Sequence, residues 1–508
     1  MLNRVFFYLF MTIGSTSWAQ LVVVKGDAKG YEGKSLCVMA VDNEFSEKRI
    51  VLAQCYVTDS GNFQIQFDIK ETQRVYIHIQ RVEAPLYVQR GNSYDVIFPQ
   101  CTAADFKRFD NTVISLQFKN LPLNDVNAVV GKFDLDYAAF IRDHFYDFAS
   151  EEYRGSPEYL KHVGKKRDRV DLYARSSTVD TVGLIPERGF SRLVEQFEDS
   201  VLNSPESSSD KIFTDSYKRF SIAELHLLSG MERKIFYERY FISTIPLARN
   251  PAYVSCFRLL TRNILIGQKD GVQASIIKAI NVDRNLERLA DALPADYGLQ
   301  SVRLRQLAAI NGLRDVYCTK SFDRTSMDLL LEKVSTSDSL VNEVAHATAD
   351  KLKLGRAGTK IRDFVFTDET QEKWTLSNAD GLPLYLLFYA SWSPSSLKEI
   401  LVMERVQSKF KGRIQFVAVC MDDDYRNYRK YLEDNLKLPI KLLYGNAEPF
   451  VYEKFNVRAI PHQVMLDAQG VILADFCPAP SDPSFESFMN RSAPAPPSKQ
   501  GQRTWKDH

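Results

Sequence analysis

The first part of the chain carries short runs in which apolar and polar residues alternate. Alternation with a period of two is typical of strands that bury one face of a sheet. Turn-forming residues separate some of these runs, as in DSGN at 59–62 and RGNS at 90–93. Strands at this spacing predict a β-sandwich module over residues 20–102. The runs are LVVVKG, SLCVMAV, RIVLAQCYV, GNFQIQFDI, RVYIHIQRV and YDVIFP.

Between residues 103 and 355 the apolar positions recur three and four apart, the period of an amphipathic helix. The segments SIIKAINVDRNLERLADAL and SMDLLLEKVS show this stripe. Ser156-Pro157 and Asn250-Pro251 each place a capping residue before a proline at the first helical position. The region is therefore predicted to be a helical domain, and it shows no fixed period that would indicate a solenoid.

A third pattern, in which buried strands alternate with helices, covers residues 356–490. PLYLLFYA and RIQFVAVCM are apolar strands, and SLKEILVMERVQSKF between them has helical spacing. HQVMLDAQGVILADF has the form of a hairpin. Residues 491–508 are rich in proline and polar residues and are predicted to be a disordered tail. The three patterns together predict a multidomain α+β protein.

The N-terminus has the pattern of a secretory signal. Arg4 precedes the short apolar stretch Val5–Ile13, and the small residues Ser17 and Ala19 suit signal peptidase. The stretch is too short for a spanning helix, which needs about 20 apolar residues. We expect a signal peptide at residues 1–19, a mature chain that starts near Gln20, and a soluble periplasmic protein. An uncleaved membrane anchor is the alternative.

Composition narrows the choice of function. The chain has 508 residues and a formal net charge of +1, so nothing favours a nucleic-acid partner. Seven cysteines are present, but none forms a CxxC pair or a metal-type cluster. We therefore expect no metal and no cofactor. An odd number of cysteines leaves at least one thiol unpaired within the chain.

The stretch LLFYASWSPSSLKE at 386–399 carries the candidate site. It resembles the extracytoplasmic thioredoxin-like proteins of the TlpA/ResA type, in which a strand leads into Phe-Trp-Ala-x-Trp-Cys-Pro-Pro-Cys-x-x-Glu. A later stretch, VRAIP at 457–461, matches that family's loop before its cis-proline. The resemblance implies a thioredoxin-like α/β domain and a cis bond at Pro461. Phe388, Ala390, Trp392, Pro394 and Glu399 match in order, and Ser393 and Ser396 occupy the two cysteine positions.

Serine at both positions excludes dithiol exchange there, because a hydroxyl is too weak an acid to ionise and oxygen forms no stable counterpart of a disulfide. Three alternatives would still give this domain a chemical activity. Cys420 or Cys477 could take the redox role. Ser393 and His462 could form a hydrolytic pair. The acidic run 422–424 could bind a metal, although such a run is usually a solvated loop.

The leading hypothesis is an exported thioredoxin-like protein that has lost redox chemistry and serves binding or assembly. Its groove, formed by Trp392, Pro394, Ile460 and Pro461, would hold an exported protein or peptide by backbone pairing. Glu399 would be structural. The rival is a thiol-disulfide oxidoreductase of the cell envelope that uses cysteines outside the motif. A third possibility is that the helical domain carries the function.

The N-terminal module more loosely resembles one found ahead of such domains in exported Bacteroidetes proteins, through DSGNF and YVQRGNSYDV. A hairpin that turns near Ser46 would place Cys37 opposite Cys55, and export would permit a disulfide between them. A slip of one residue in this register would put the two side chains on opposite faces.

Overall fold

The computed structural model describes residues 21–80, 82–101, 112–144, 190–204, 207–319, 321–361, 364–422, 425–434, 439–445 and 451–492. The predicted signal peptide, the predicted helix start at Ser156-Pro157 and most of the predicted tail lie outside these ranges. Within them the chain is a mixture of sheets and helices. None of the helices in these ranges combines the length and apolar character needed to span a bilayer.

Two sheets form the N-terminal part. One has four strands in the order β4-β1-β7-β9, and the other has five in the order β3-β2-β5-β6-β8. Buried side chains from both sheets share one hydrophobic cluster. β8 and β9 belong to these sheets although they lie beyond residue 102. The strands are β1 Val22–Asp27, β2 Ser35–Val41, β3 Arg49–Tyr56, β4 Asn62–Phe67, β5 Gln73–Ile79, β6 Val82–Val88, β7 Ser93–Ile97, β8 Thr112–Val113 and β9 Gln117–Phe118.

The predicted disulfide between Cys37 and Cys55 is wrong. In the antiparallel pair of β2 and β3, Cys37 lies opposite Gln54, and Cys55 lies opposite Leu36. Because side chains alternate along a strand, this offset of one residue puts the two cysteines on opposite faces of the sheet. Both are reduced thiols, and burial raises the pKa of Cys55.

Alkylation should show both thiols directly. We expect iodoacetamide to modify Cys37 and Cys55 when the protein is denatured without a reductant, because no disulfide has to be opened first. Mass spectrometry of the digested protein measures this. A peptide pair that is joined through these two sulfurs, and separates only after reduction, would contradict the register.

The helices that follow pack around a single large hydrophobic cluster. The predicted start at Pro251 is confirmed, since the Asn250 side chain accepts hydrogen bonds from the amides of Ala252 and Tyr253 at 3.2 Å each. The helices are α1 Val126–His144, α2 Phe190–Leu202, α3 Lys211–Leu228, α4 Arg233–Tyr240, α5 Pro251–Leu260, α6 Asp270–Lys278, α7 Leu286–Asp291, α8 Val302–Val316, α9 Arg324–Glu332 and α10 Ser339–Lys353.

The turn between β2 and β3, residues 43–48, inserts into the helices, and we call it the inserted turn. Its Phe45 is 2% exposed and belongs to the hydrophobic cluster of the helices. The Phe45 ring lies 5.6 Å from the Phe257 ring and 6.4 Å from the Tyr253 ring, edge-on to both. Arg258 donates to the carbonyls of Glu44 and Phe45 at 2.7 and 3.0 Å. The N-terminal sheets and the helices therefore share buried contacts.

The C-terminal part is a seven-stranded sheet in the order β11-β10-β14-β13-β12-β15-β16, with a hydrophobic cluster on each face. β12, β13 and β14 run parallel, and β15 is antiparallel to β12. The strands are β10 Phe366–Thr367, β11 Lys373–Trp374, β12 Leu384–Tyr389, β13 Gln415–Cys420, β14 Lys441–Tyr444, β15 His462–Leu466 and β16 Ile472–Ala474. The helices are α11 Pro394–Gln407, α12 Tyr425–Asp434, α13 Val451–Lys454 and α14 Phe485–Ser492.

Candidate functional site

The two predicted halves of the groove meet where two neighbouring strands of the C-terminal sheet end and begin. β12 ends at Tyr389 and leads into the turn before α11, while β15 begins at His462 directly after Pro461. Phe388 is the β-ladder partner of His462, so the end of β12 and the start of β15 are neighbours. The bond between Ile460 and Pro461 is cis, as predicted. The topology therefore brings residues 391–396, which we call the serine turn, close to residues 457–461, which we call the cis-proline loop.

The two serines sit at the N-terminus of α11. Ser393 is the residue that caps this helix, and its Oγ accepts from the amide of Ser396 at 3.4 Å and from the Ser396 hydroxyl at 3.0 Å. The Ser395 hydroxyl lies 3.1 Å from the same oxygen. Ser396 is fully buried and Ser393 nearly so. The hydroxyl groups of Ser395 and Ser396 thus both lie within hydrogen-bonding distance of the Ser393 hydroxyl at the start of α11.

The surface beside this turn is apolar. Trp392 is 52% exposed and Pro394 is also exposed, while Ile460 and Pro461 are half-buried. Phe476, which sequence reasoning did not single out, is 71% exposed, and its ring packs edge-on against His462 at 5.3 Å. The sequence pattern did not mark Phe476 as a site residue, because Phe476 stands at the end of a predicted hairpin strand.

Glu399 joins α11 to a later loop. Its carboxylate is buried and accepts hydrogen bonds from the backbone amide of Ser481 at 2.9 Å and from the Ser481 hydroxyl at 2.5 Å. The contact lies within the first two turns of the helix. It holds the start of α11, and with it the serine turn, against the rest of the domain.

The acidic run after β13 is only partly described. Asp422 is buried, and its Oδ1 accepts from the backbone amide of Ser391 at 2.9 Å, which ties the turn after β12 to the end of β13. Residues 423 and 424 lie outside the described ranges. Within those ranges, no group of three or more histidine, cysteine or acidic residues is arranged to hold a metal ion.

The two thiols of the C-terminal sheet lie in its hydrophobic interior. Cys420 is completely buried, and this burial, with the nearby Asp422 carboxylate, raises the pKa of its thiol well above the usual value. Burial likewise raises the pKa of Cys477 to about 12. Each is therefore protonated at neutral pH, and a protonated thiol is a poor nucleophile.

His462 and Ser393 do not form a hydrogen-bonded pair. His462 Nε2 lies 3.1 Å from the Phe455 carbonyl, to which it donates, and the ring is buried beside Phe388. Burial also lowers the pKa of His462. The Ser393 hydroxyl makes its hydrogen bonds within the serine turn. Neither side chain is arranged for the general-base step that a serine nucleophile requires.

Comparison with known proteins agrees with this geometry. A family model described as thioredoxin-like matches residues 381–472. The thiol-disulfide oxidoreductase ResA of Bacillus cereus is 22% identical over 148 residues, which are 29% of this chain and 83% of ResA. The thioredoxin-like protein YneN of Bacillus subtilis is 25% identical over 130 residues, 25% of this chain and 75% of YneN.

Solved structures also match part of this chain. The thioredoxin domain of a thiol-disulfide oxidoreductase from Bacteroides vulgatus matches with 18% identity over 24% of this chain and 86% of that domain, at a TM-score of 0.21. The assignment of the C-terminal region therefore rests on the sequence matches. The C-terminal region of this chain is a thioredoxin-like domain, with homology to ResA-type thiol-disulfide oxidoreductases.

Proposed function

We propose that this is an exported, periplasmic protein whose thioredoxin-like domain binds an extended segment of another protein or peptide without dithiol exchange. The observation that carries the proposal is the hydroxyl cluster of Ser393 and Ser396 at the start of α11. The N-terminal sheets, with β8 and β9 included, would form a β-sandwich module, and the helices from α1 to α10 would form a helical domain that ends near residue 355.

The chemistry of the turn supports a loss of redox function. Exchange requires a thiolate that attacks a disulfide and a second thiol that resolves the product. A helix N-terminus lowers a thiol pKa from about 8.5 into the range of roughly 3.5–7.5. No comparable shift ionises a serine hydroxyl. The Ser393 oxygen is moreover occupied as an acceptor of hydrogen bonds from Ser396.

The rival, an envelope oxidoreductase, would need another thiol. Cys420 and Cys477 are buried and hard to ionise. The exposed thiol among the described cysteines is Cys318, just beyond α8, and Arg356 donates to its sulfur at 3.4 Å. A redox function would therefore be expected to depend on Cys318, which makes this residue the natural control.

The surface beside the serine turn suits an extended chain. The backbone before the cis-proline lies outside the ladder, directly ahead of β15, and a strand-like ligand would pair with it. Trp392 supplies a large, half-exposed apolar side chain beside it. Aromatic anchors of this kind carry much of the binding energy of many interfaces.

Two assays test the proposal. We expect no reduction of insulin by dithiothreitol above the uncatalysed rate, with or without Cys318→Ser, because no reactive thiol lies at the site. Activity that Cys318→Ser abolishes would establish the rival oxidoreductase instead.

Binding is tested with reduced, carboxymethylated α-lactalbumin, an unfolded chain whose thiols are blocked. We expect Trp392→Ala to weaken its binding about tenfold or more, as the loss of an aromatic anchor does. Leu401→Ala is the matched control, since Leu401 is an equally exposed apolar residue farther along α11. Equal affinities of both variants and the unmodified protein would place binding elsewhere.

A further inference from the structure

The cis-proline loop rests on the four residues that precede it, 453–456, which we call the support segment. The Phe455 carbonyl accepts from His462, the residue after Pro461, at 3.1 Å. Asn456 has a left-handed backbone with φ of 52°, and its Oδ1 accepts from Arg458 Nε at 2.9 Å. Asparagine adopts this conformation more readily than most non-glycine residues, and the contact with Arg458 helps to hold it here. The support segment therefore helps to set the path of residues 457–461.

The end of the helical region contacts the support segment in two ways. Lys351, in the last turn of α10, forms an ion pair with Glu453 at 3.1 Å. Gly355, just beyond α10, is buried with a φ of 71°. A Cβ atom there would lie 2.7 Å from the Asn456 amide nitrogen and 2.8 Å from the Glu453 carbonyl oxygen. Only glycine allows this close approach of the two backbones.

The segment 358–361, which connects the helical region to the thioredoxin-like domain, is held by backbone hydrogen bonds. Gly358 donates to the Ile472 carbonyl at 2.8 Å, and the Ile361 amide donates to the Gly470 carbonyl at 2.8 Å. Residues 358–361 thus pair along the outer edge of β16. The helices are therefore attached to the domain by a docked segment.

We propose that Lys351 and Gly355 are positioning residues through which the helical region sets the conformation of the cis-proline loop. The helical region then acts on the binding site without contacting the bound chain. This inference rests on the proposed function only for what the loop binds, since the mechanical coupling is independent of any ligand.

Hydrogen exchange in the full-length protein tests the coupling. The amides of Phe455, Asn456 and Val457 make backbone hydrogen bonds that protect them. We expect Gly355→Ala to accelerate their exchange roughly tenfold, because its methyl group collides with the support segment. Gly358→Ala is the matched control: its φ of 86° imposes similar backbone strain, but nothing lies within 4 Å of its Cβ position.

A second pair of variants avoids steric overlap. Lys351→Met removes the ion pair with Glu453, whereas Lys353→Met removes one with Glu332, outside the support segment. We expect exchange at Asn456 and Val457 to rise about two- to fivefold in Lys351→Met alone, the scale of a partly exposed ion pair.

The outcomes separate the coupling from the binding function. Unchanged exchange at Asn456 and Val457 in Lys351→Met, or equal effects of Lys351→Met and Lys353→Met, would overturn the coupling. So would equal exchange in folded Gly355→Ala and Gly358→Ala. If exchange shifts as expected and carboxymethylated α-lactalbumin does not bind any variant or the unmodified protein, the coupling stands and the proposed binding function falls.

Discussion

The double variant Ser393→Cys with Ser396→Cys is expected to catalyse the reduction of insulin by dithiothreitol. The unmodified protein is expected not to do so. The first introduced thiol would occupy the cap of α11, where the helix N-terminus stabilises a thiolate and lowers its pKa from about 8.5 towards 7 or below. The second would lie at the buried position of Ser396, within reach of the first, since the two oxygens are 3.0 Å apart. Cysteine differs from serine by one atom, so little repacking is needed.

Matched variants make this result specific. Ser391→Cys with Ser395→Cys places two thiols in the same turn but leaves serine at the capping position, and should stay inactive. Ser393→Cys alone lacks the resolving thiol and should form mixed disulfides without turnover. If the Ser393/Ser396 double variant folds, forms no disulfide and shows no activity, the geometry of the turn differs from that of the redox-active relatives.

Truncation of Phe45 to alanine is expected to lower the free energy of unfolding by about 3–5 kcal/mol, the usual cost of deleting a buried aromatic side chain. The cost should be high because Phe45 is almost completely buried and packs against Tyr253 and Phe257 of α5. Its loss also loosens Glu44, a buried carboxylate paired with Arg74 at 3.1 Å. Urea unfolding followed by circular dichroism measures the change.

The control for this variant is another phenylalanine. Phe476→Ala removes the same side chain from a position that is 71% exposed, and should cost less than about 0.5 kcal/mol. Equal stabilities of Phe45→Ala and the unmodified protein would mean that the inserted turn does not pack into the helices in solution.

The site was predictable because its signal is local. The residues around 392–399 and 457–461 lie in short motifs whose spacing reflects one strand, one turn and one helix. The resemblance implied that the two motifs face each other, and the antiparallel pairing of β12 with β15 brings them together. The cis bond at Pro461 was predicted through the same resemblance and is present.

What could not be predicted depends on register or on distant contacts. The pairing of β2 and β3 is shifted by an irregularity between Val38 and Met39, and no local pattern reveals such a shift. Phe45 has the sequence context of a polar turn, yet its partners lie in α5. Gly355 looks like an ordinary helix terminator, and only the fold shows that its missing side chain admits the support segment.

The inserted turn also has a consequence for synthesis of the chain. Arg258, which binds the Phe45 carbonyl, lies 213 residues further along the sequence. At about 5–20 residues per second, a ribosome needs roughly 10–40 s to make that stretch. During this time the helices that bury Phe45 and Glu44 have not yet been made, even if the strands around these residues have already paired. The N-terminal sheets must therefore wait for the helices before they reach their final burial, whether the chain folds during synthesis or after export.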